Sequence, residues 1–352
     1  MSGVRQAQCF TYLPVPERPN LSSSSRAASG RFVVSLDFEL WWGVRDAVTM
    51  AAYEANLRGT RPAVDALLNL FAAHGIRATW AVVGILMADG REEALGAAPS
   101  ERPNYAESCL DPYAELERSG PSEQDDPLRF APSLVAAIGA TEGQELATHS
   151  FSHFYALEPE RTREAFAADL DAALALALRR GVTITSVVFP RNQVPHDWLD
   201  ACSQLGLTAF RGTELDWLHD PSPERFSRPL RRALRLADAY MTLGSQHVEL
   251  PSVDGESGMV DVRASRFLRP YAPRLRSLEP LRLRRITTAM TAAARRGGTF
   301  HLWWHPHNFG IHREANLEFL TAVLEHFAEL RDRHGMVSQT MADVAAHVTR
   351  RA

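Results

Sequence analysis

Short apolar runs that alternate with amphipathic helices are the feature of this chain that most limits its possible folds. Arg31 to Glu39 is an apolar run that ends in acidic residues, which is typical of a buried parallel strand. Pro62 to His74 has apolar residues at helical spacing and stops at Gly75, and Ile76 to Val83 reads as the next strand. This rhythm recurs about seven times, so we predict an α/β fold with a parallel sheet.

The later elements follow the same alternation, and no internal sequence repeat accompanies them. Strands are expected at Gln144 to Thr148, Ser186 to Phe189, Leu207 to Phe210, Thr299 to Trp304 and Met336 to Ser338, and helices at Glu160 to Arg180, His196 to Leu205, Arg313 to His334 and Met341 to Val348.

The length of the chain favours a single large domain. Its 352 residues with 45% hydrophobic content can bury one barrel-sized core. Residues 1–30 are proline- and serine-rich, lack a secretory signal and are expected to be a disordered lead. One folded domain is expected over 31–352, with insertions at about 88–131 and 218–278. No run approaches the ~18 apolar residues of a membrane span, so a cytoplasmic location is expected.

Lysine is absent from the chain, and this absence excludes two large classes of enzyme. All 38 basic residues are arginine, so neither a lysine Schiff base nor a lysine-bearing phosphate loop can form. The three cysteines, Cys9, Cys109 and Cys202, are too few and too scattered for a disulfide framework or a thiolate metal site.

Two carboxylates mark the end of the first strand. Asp37 and Glu39 are two residues apart, so on a strand they point to one side while Phe38 packs behind them. Two carboxylates aimed together are unfavourable without a nearby cation. Solvated acids in a loop are the alternative, but the apolar strand before them favours a site.

His149 and His153 provide imidazoles next to another predicted strand end. Their spacing predicts one face of a helical turn, and neutral imidazole is a common ligand of zinc-like metals. Capping or surface histidines are the alternative interpretation. The strand at Gln144 to Thr148 favours the metal site, because α/β folds collect their chemistry at the carboxyl ends of strands.

Two further strand ends carry candidate groups. Arg191 follows the strand at Ser186 to Phe189 and could hold a carboxylate by paired hydrogen bonds, although most loop arginines are solvated. His305 follows the strand at Thr299 to Trp304 and precedes a proline, which places it to face a cleft.

An arginine-rich segment spans residues 225–296. It contains 15 arginines and 6 acids, a balance of 15 − 6 = +9 in a chain whose net charge is −4. This asymmetry suggests an anionic partner, such as a phosphate-bearing substrate or a membrane surface, and a solvated arginine-rich face explains it equally well. Nucleic acid fits poorly, because no aromatic-interleaved binding motif accompanies the charge.

Taken in order, these strand ends resemble the polysaccharide deacetylases, the NodB-homology family of metal-dependent carbohydrate N- and O-deacetylases. The resemblance covers about Arg31 to Val348 and implies a distorted (β/α)7-type barrel with insertions. The matching motifs are His149-Ser150-Phe151-Ser152-His153 for the family's His-(Ser/Thr)-x-x-His element, Phe189-Pro190-Arg191 for its arginine motif, and Trp303-Trp304-His305-Pro306 for its late histidine motif.

Several departures indicate a distinct subgroup with its own substrate. The family commonly has Thr-Phe-Asp-Asp-Gly on the first strand, where this chain has Ser35-Leu36-Asp37-Phe38-Glu39, so the second acid is displaced by one position. The arginine motif lacks the following Pro-Tyr and continues with Asn192 and Gln193. The family's Asp-Trp element is recognisable only as Asp216-Trp217.

The resemblance implies a role for each matched residue. Glu39, His149 and His153 would hold one divalent ion, zinc in the first instance, with cobalt or manganese as alternatives. Asp37 would act as general base, although an exchange of roles between Asp37 and Glu39 stays open. His305 would be the general acid and Arg191 would pair with Asp37; His307 and His312 are rival acids, each less well placed by motif.

Three apolar or aromatic residues are candidates for substrate binding. Leu302 and Trp304 alternate with Trp303 on the predicted strand, so that one face could shape an acetyl pocket. Trp217 offers a ring on which a sugar could stack. Core packing is an equally good interpretation of these side chains.

The predicted function is hydrolysis of the N-acetyl group, or alternatively an O-acetyl group, of a carbohydrate. A cytoplasmic enzyme cannot reach mature extracellular polymer, so the expected substrate is a soluble, nucleotide-linked or lipid-linked intermediate. The alternatives are a related metal amidohydrolase acting on a small non-sugar amide such as a ureide, and a non-catalytic carbohydrate-binding relative.

Overall fold

The fold is taken from a computed structural model, which describes residues 29–159, 161–214, 236–240 and 248–350. Ten strands form one sheet. They are β1 (Arg31–Phe38), β2 (Ala78–Val82), β3 (Gln144–Thr148), β4 (Ser186–Val187), β5 (Ala209–Phe210), β6 (Ser252–Val253), β7 (Val260–Asp261), β8 (Arg266–Phe267), β9 (Thr299–Trp304) and β10 (Val337–Gln339).

The sheet curls into a seven-membered barrel. Its order is β6-β7-β5-β4-β3-β2-β1-β9-β8, and among the described strand pairs only β6–β7 is antiparallel. One extended segment, Val260 to Leu268, closes the ring, because β7 pairs with β5 and β8 pairs with β9. The barrel is distorted at one end, where β10 pairs with the first residues of β1 and β2 pairs with the last ones. The predicted (β/α)7-type fold is confirmed.

Helices surround the strands, as a parallel sheet requires for its connections. They are α1 (Met50–Arg58), α2 (Thr60–His74), α3 (Arg91–Ala97), α4 (Tyr113–Glu117), α5 (Pro132–Ala140), α6 (Arg163–Arg179), α7 (Leu199–Gln204), α8 (Glu279–Arg296), α9 (Arg313–His334) and α10 (Met341–Thr349). Between His74 and β2, Gly75 adopts a left-handed conformation with φ of 63° and caps α2. No helix in the described ranges is long and apolar enough to cross a membrane.

Most predicted elements agree with the structure to within a few residues. The strands β3 and β9 and the helix α9 have the predicted bounds. The predicted helix at His196 to Leu205 is wrong in its first turn, which is a 3-10 helix (His196–Trp198) that precedes α7. Pro195 immediately before this turn has no N–H to donate, which accounts for the irregular start.

The two faces of the sheet have different cores. Even-numbered side chains of β1, such as Phe32 and Leu36, point outward and pack beneath the helices. The barrel interior is filled by small or branched side chains, including Val33, Ala81 and Ala147. Small residues suit a narrow barrel, in which the inward side chains must share a confined volume. Inward positions nearer the carboxyl ends of the strands are polar, and they form the site.

The stretch 88–131 carries α3 and α4 and packs over the loop that follows β1. The indole of Trp42 donates to the Arg129 carbonyl at 2.8 Å, and the indole of Trp41 donates to the Glu115 carboxylate at 2.9 Å. These bonds fix the polypeptide that continues from Glu39. The division of the chain at 88–131 and 218–278 into insertions stays a prediction.

Candidate metal site and hydrolytic centre

The acidic pair lies at the mouth of the barrel. Asp37 and Glu39 are buried, 3% and 4% exposed, while Phe38 points the other way into the outer core. After Glu39 the chain turns sharply, with Leu40 at φ 45°, into a 3-10 helix (Leu40–Gly43). Gly43 leaves room for the Glu39 carboxylate, because a Cβ at this position would overlap it and displace it. The turn therefore holds the Glu39 side chain over the barrel.

The histidine pair lies in a loop after β3, and the prediction of a helical turn is wrong. Ser150 and His153 both have positive φ, 61° and 60°, which folds the five residues back on themselves. The buried carboxylate of Asp169 on α6 accepts hydrogen bonds from the Phe151 amide and from the Ser152 hydroxyl. The loop thus turns both imidazoles toward one point without a helix.

Glu39, His149 and His153 form a buried cluster whose ligand atoms all lie within 4.8 Å of one another. The Nε2 atoms of His149 and His153 lie 3.4 and 3.2 Å from Oε2 of Glu39. Nδ1 of His149 is 2.8 Å from the Val188 carbonyl, which can only accept, so this nitrogen carries the proton. The lone pair of Nε2 in a neutral His149 ring then faces a carboxylate oxygen, an arrangement that requires a cation or proton between them.

Protonation states in the cluster favour metal binding. Burial lowers the pKa of His153 to about 4, so its imidazole is neutral near pH 7 and has a lone pair to offer. Burial alone would raise the pKa of Glu39, but the adjacent His305, His149 and His153 more than offset this effect and hold that pKa well below its usual range. In addition, Nε2 of His149 and Nδ1 of His153 are buried without a hydrogen-bond partner. The donor set therefore fits a divalent ion such as zinc.

Asp37 is paired with Arg211, and the prediction that Arg191 pairs with it is wrong. The guanidinium of Arg211 makes two hydrogen bonds to the Asp37 carboxylate, 2.6 and 2.8 Å long, and both side chains are buried. Burial alone would raise the pKa of Asp37, but Arg211, with smaller contributions from His149 and His305, lowers it below its usual 3.8. Asp37 is therefore a carboxylate at neutral pH.

Arg191 lies at the rim instead. Its side chain is 40% exposed, forms an ion pair with the buried Asp46, and lies over the Tyr155 ring with 4.5 Å from Cζ to the centroid. The backbone explains the difference, since Arg191 and Asn192 both have φ of 55° and bend the chain away from the barrel axis. The side chain of Asn192 takes part in the inner network instead, accepting from Arg211 at 2.8 Å.

A second layer of hydrogen bonds holds Arg211. Its guanidinium donates to the Ser35 hydroxyl at 3.0 Å, and Ser35 also contacts Nε2 of His301 at 2.7 Å. Nδ1 of His301 in turn donates to the Val262 carbonyl at 2.9 Å. Burial lowers the pKa of His301 to about 3, so this ring is neutral. The chain of bonds fixes the plane of the guanidinium and, through it, the Asp37 carboxylate.

His305 lies opposite the histidine pair, at the end of β9. Its Nε2 is 3.5 Å from Oε1 of Glu39 and 3.8 Å from Oδ2 of Asp37, and 22% of its side chain is exposed. The rival acids are placed differently. His307 is buried, and burial lowers its pKa to about 3, whereas His312 is exposed at the start of α9 beside Tyr271.

The predicted acetyl pocket is wrong in its residues. Leu302 and Trp304 are fully buried in the outer core, where Trp304 packs against Phe309 with 5.7 Å between ring centroids. Because β9 alternates its side chains, Trp303 is the residue that faces the barrel mouth. It lines a groove of about 500 Å³ together with His305 and Phe267. Trp217 lies outside the described residues.

Several residues of the site are not predicted from the sequence, although one signal could have found two of them. Arg211 immediately follows β5, so the rule that chemistry collects at the ends of parallel strands applied to it as well as to Arg191. Trp303 shares the inward side of β9 with His301 and His305. No signal in the sequence marks Asn192 or Asp169, whose roles depend on the fold.

Several arginines of the arginine-rich segment form ion pairs within the chain where the structure describes it. Arg266 and Arg285 both contact Asp238, at 3.1 and 3.3 Å, and Arg263 pairs with Asp261 at 2.5 Å. These contacts use the segment's own acids. They lend no support to a phosphate-bearing partner.

Comparisons with known proteins agree on the fold. No family model and no curated protein matches the sequence. Among solved structures, a protein of Mycobacterium smegmatis named as a polysaccharide deacetylase matches at TM-score 0.59 and 14% identity, over 96% of this chain and 95% of the other. One of the same description from Pseudomonas aeruginosa PAO1 matches at 0.56 and 12%, over 91% of each chain, and a Puue allantoinase matches at 0.56 and 12%, over 92% and 91%. The fold is that of these NodB-like barrels.

Proposed function

We propose that this chain is a metal-dependent deacetylase of the polysaccharide deacetylase family, which hydrolyses the N-acetyl or O-acetyl group of a carbohydrate. The observation that carries the proposal is the buried cluster of Glu39, His149 and His153 beside the Asp37–Arg211 pair. A three-ligand cluster next to an ionised carboxylate is the arrangement that metal-assisted hydrolysis needs.

Glu39, His149 and His153 would hold one divalent ion, with zinc as the first choice and cobalt or manganese as alternatives. When bound, the ion supplies Lewis-acid polarisation of the acetyl carbonyl and lowers the pKa of water to roughly 7. We assign the metal to Glu39 rather than Asp37 because the Glu39 carboxylate is the one that lies beside both His149 and His153.

Asp37 would act as the general base. Its carboxylate faces the barrel mouth, is ionised, and accepts the proton of the attacking water in this scheme. Arg211 is the positioning residue for Asp37, since its two hydrogen bonds fix the carboxylate plane. The sequence predicted this role for Arg191, and we propose that Arg211 performs it from the end of the neighbouring strand β5.

His305 would act as the general acid. It lies across Glu39 from the histidine pair and is accessible from the groove, so its Nε2 can reach a leaving group bound there. An amide needs such an acid, because an amine leaves only after it has been protonated. The acetylated nitrogen or oxygen of the substrate would therefore lie between His305 and Asp37.

The groove beside His305 suits a sugar ring. The Trp303 and Phe267 rings lie 4.7 Å apart between centroids, and the Arg211 guanidinium lies 4.3 Å from the Trp303 centroid on the inner side. An aromatic wall with polar groups at its base is the usual composition of a carbohydrate-sized site. Trp303 replaces Leu302 and Trp304 as the proposed sugar contact.

A small non-sugar amide is the second candidate substrate. The likeness to an allantoinase at TM-score 0.56 shows that a similar barrel occurs in a protein named for a ureide substrate. Acetate release from acetylated sugars distinguishes the two, since a ureide hydrolase would leave such sugars intact.

The test is acetate release from nucleotide-linked sugars, lipid-linked sugars and short oligosaccharides, each assayed with zinc, cobalt and manganese. We expect turnover with at least one substrate and none after Asp37→Asn, which should retain its metal by elemental analysis. Equal loss of metal and turnover in that variant would make Asp37 a ligand. A metal-replete protein inactive on every acetylated sugar would contradict the deacetylase, and turnover of a ureide would then separate the amidohydrolase from a non-catalytic relative.

A further inference from the structure

Glu39 faces two pairs of histidines, and only one pair has been given a role. Its Oε2 lies near His149 and His153, whereas its Oε1 lies 3.5 Å from Nε2 of His305. His305 and His307 together with Glu39 form a second cluster, in which the ligand atoms again lie within 4.8 Å of one another. The two clusters share one carboxylate and meet on opposite sides of it.

The second histidine pair, His305 and His307, is held in a fixed orientation. The rings of His305 and His307 are stacked, with centroids 4.9 Å apart and planes inclined by 14°. Both lie where β9 runs into a 3-10 helix (Pro306–Phe309), and the His307 carbonyl accepts from Asn56 at 3.3 Å. A Cβ on Gly310, just beyond this helix, would overlap the Asn56 backbone, so the segment is seated tightly against α1.

The other possible partners of these imidazoles are engaged elsewhere. Asp37 is 3.8 Å from His305, but both of its oxygens accept from Arg211. In the described part of the chain, no hydrogen bond from the ring nitrogens of His307 to protein is seen. Glu39 and Asp37 are the carboxylates near this ring, and Glu39 is the one whose oxygen lies within the cluster. Two nitrogen donors and one free carboxylate oxygen thus converge on a second point.

We propose that Glu39 bridges two cation sites, and that His305 and His307 bind a second divalent ion of the zinc class through Nε2 of His305 and a ring nitrogen of His307. Two ions joined by one carboxylate are typical of binuclear hydrolase sites. The second ion binds more weakly than the first, because the single negative charge of Glu39 is shared between them. The proposal rests on the proposed function for the first ion only.

The second ion is inhibitory. His305 cannot donate a proton to the leaving group while its Nε2 is a metal ligand, so the ion removes the general acid. Catalysis therefore requires the first site filled and the second empty, and excess zinc lowers turnover without displacing the first ion.

The experiment is zinc binding to chelator-stripped full-length protein, followed by equilibrium dialysis and elemental analysis. We expect two zinc ions per chain at saturation, one after His307→Gln, and one after His153→Gln. His312→Gln is the matched control, since His312 lies five residues beyond His307 outside both clusters, and it should retain two. One zinc per chain in the wild type, unchanged by His307→Gln, overturns the second site.

Manganese binding tests the two-ion site in the wild-type protein, so this measurement does not depend on the folding of a variant. Two Mn²⁺ ions joined by Glu39 give an exchange-coupled electron paramagnetic resonance spectrum, and single ions give an uncoupled one. In activity assays, the zinc concentration for half inhibition should rise about tenfold or more in His307→Gln. Zinc inhibition that persists in His307→Gln, or an uncoupled manganese spectrum at saturation, contradicts the proposal. Loss of all zinc binding in His153→Gln would show that His305 and His307 hold no ion of their own. That result refutes the second site but not the first, so the proposed function would stand.

Discussion

Replacing Arg211 with Met tests the central ion pair of the site. Arg211 is 1% exposed and donates to Ser35, Asp37 and Asn192, with bonds of 2.6 to 3.0 Å. Removing one partner of a buried pair costs about 3–5 kcal/mol, because the remaining charge is left uncompensated. Domains of this kind have about 5–15 kcal/mol of stability, so Arg211→Met should be folded but markedly weakened.

The pH dependence of the unfolding free energy tests the Asp37–Arg211 pair more sharply than the size of the destabilisation does. In the wild type the folded pKa of Asp37 lies below its usual 3.8, so the stabilisation by the pair is present above that pH and is lost as the pH falls through the folded pKa. Without Arg211, burial raises the pKa of Asp37. The contribution of Asp37 to stability then falls as the pH rises from 3.8 toward the raised pKa, which reverses the sign of the slope.

The assay is urea unfolding of the metal-free protein, followed by tryptophan fluorescence across the acid range. The double variant Asp37→Asn with Arg211→Met is the matched control, and it should recover most of the lost stability because neither charge remains. Arg191→Met should leave unchanged the pH dependence of the unfolding free energy that is due to Asp37. A slope reversed by Arg191→Met and not by Arg211→Met would refute the assignment of the pair.

Three further predictions concern the support of the site. Gly43→Ala should lower zinc affinity by about 10- to 100-fold in dialysis, since the new Cβ displaces the Glu39 carboxylate; unchanged affinity would mean that the turn is adaptable. Burial raises the pKa of Asp169 to about 6, so the wild type should lose roughly 2 kcal/mol as the pH rises from 3.8 to 6, a loss that Asp169→Asn should abolish in unfolding measurements. Trp303→Ala should raise KM for an acetylated sugar more than it lowers kcat, and a change in kcat alone would remove Trp303 from the sugar contact.

The sequence predicted the parts of the site that depend on local pattern. Asp37 and Glu39 could be placed on one side because strand alternation is a property of the backbone, and the end of β3 located the histidine pair. The geometry of that pair could not be obtained from spacing. A spacing of four positions between the two histidines suits a helix, but Asp169 on the following helix α6 holds the loop in another conformation.

Long-range pairing was the other limit of prediction. Arg191 and Arg211 both follow short parallel strands, and nothing local distinguishes an arginine that turns inward from one that turns to the rim. The left-handed backbone at Arg191 and the register of β5 decide the matter. In the same way, Trp303 and Trp304 are adjacent aromatics, and the inward face of β9 is known only once its pairing with β1 is known.

The Asp37–Arg211 pair also acts as a crossbar. β1 and β5 are three strand positions apart around the seven-membered barrel. The ion pair therefore spans the barrel interior and does not join neighbouring strands. Beneath it the bore is packed with Val33, Ala81 and other side chains. A ligand can lie against this ion pair but cannot pass below it, so the proposed active site is shallow and open at the barrel mouth. Under the proposed function, a sugar in the middle of a longer chain could present its acetyl group to this site while its neighbours stay outside.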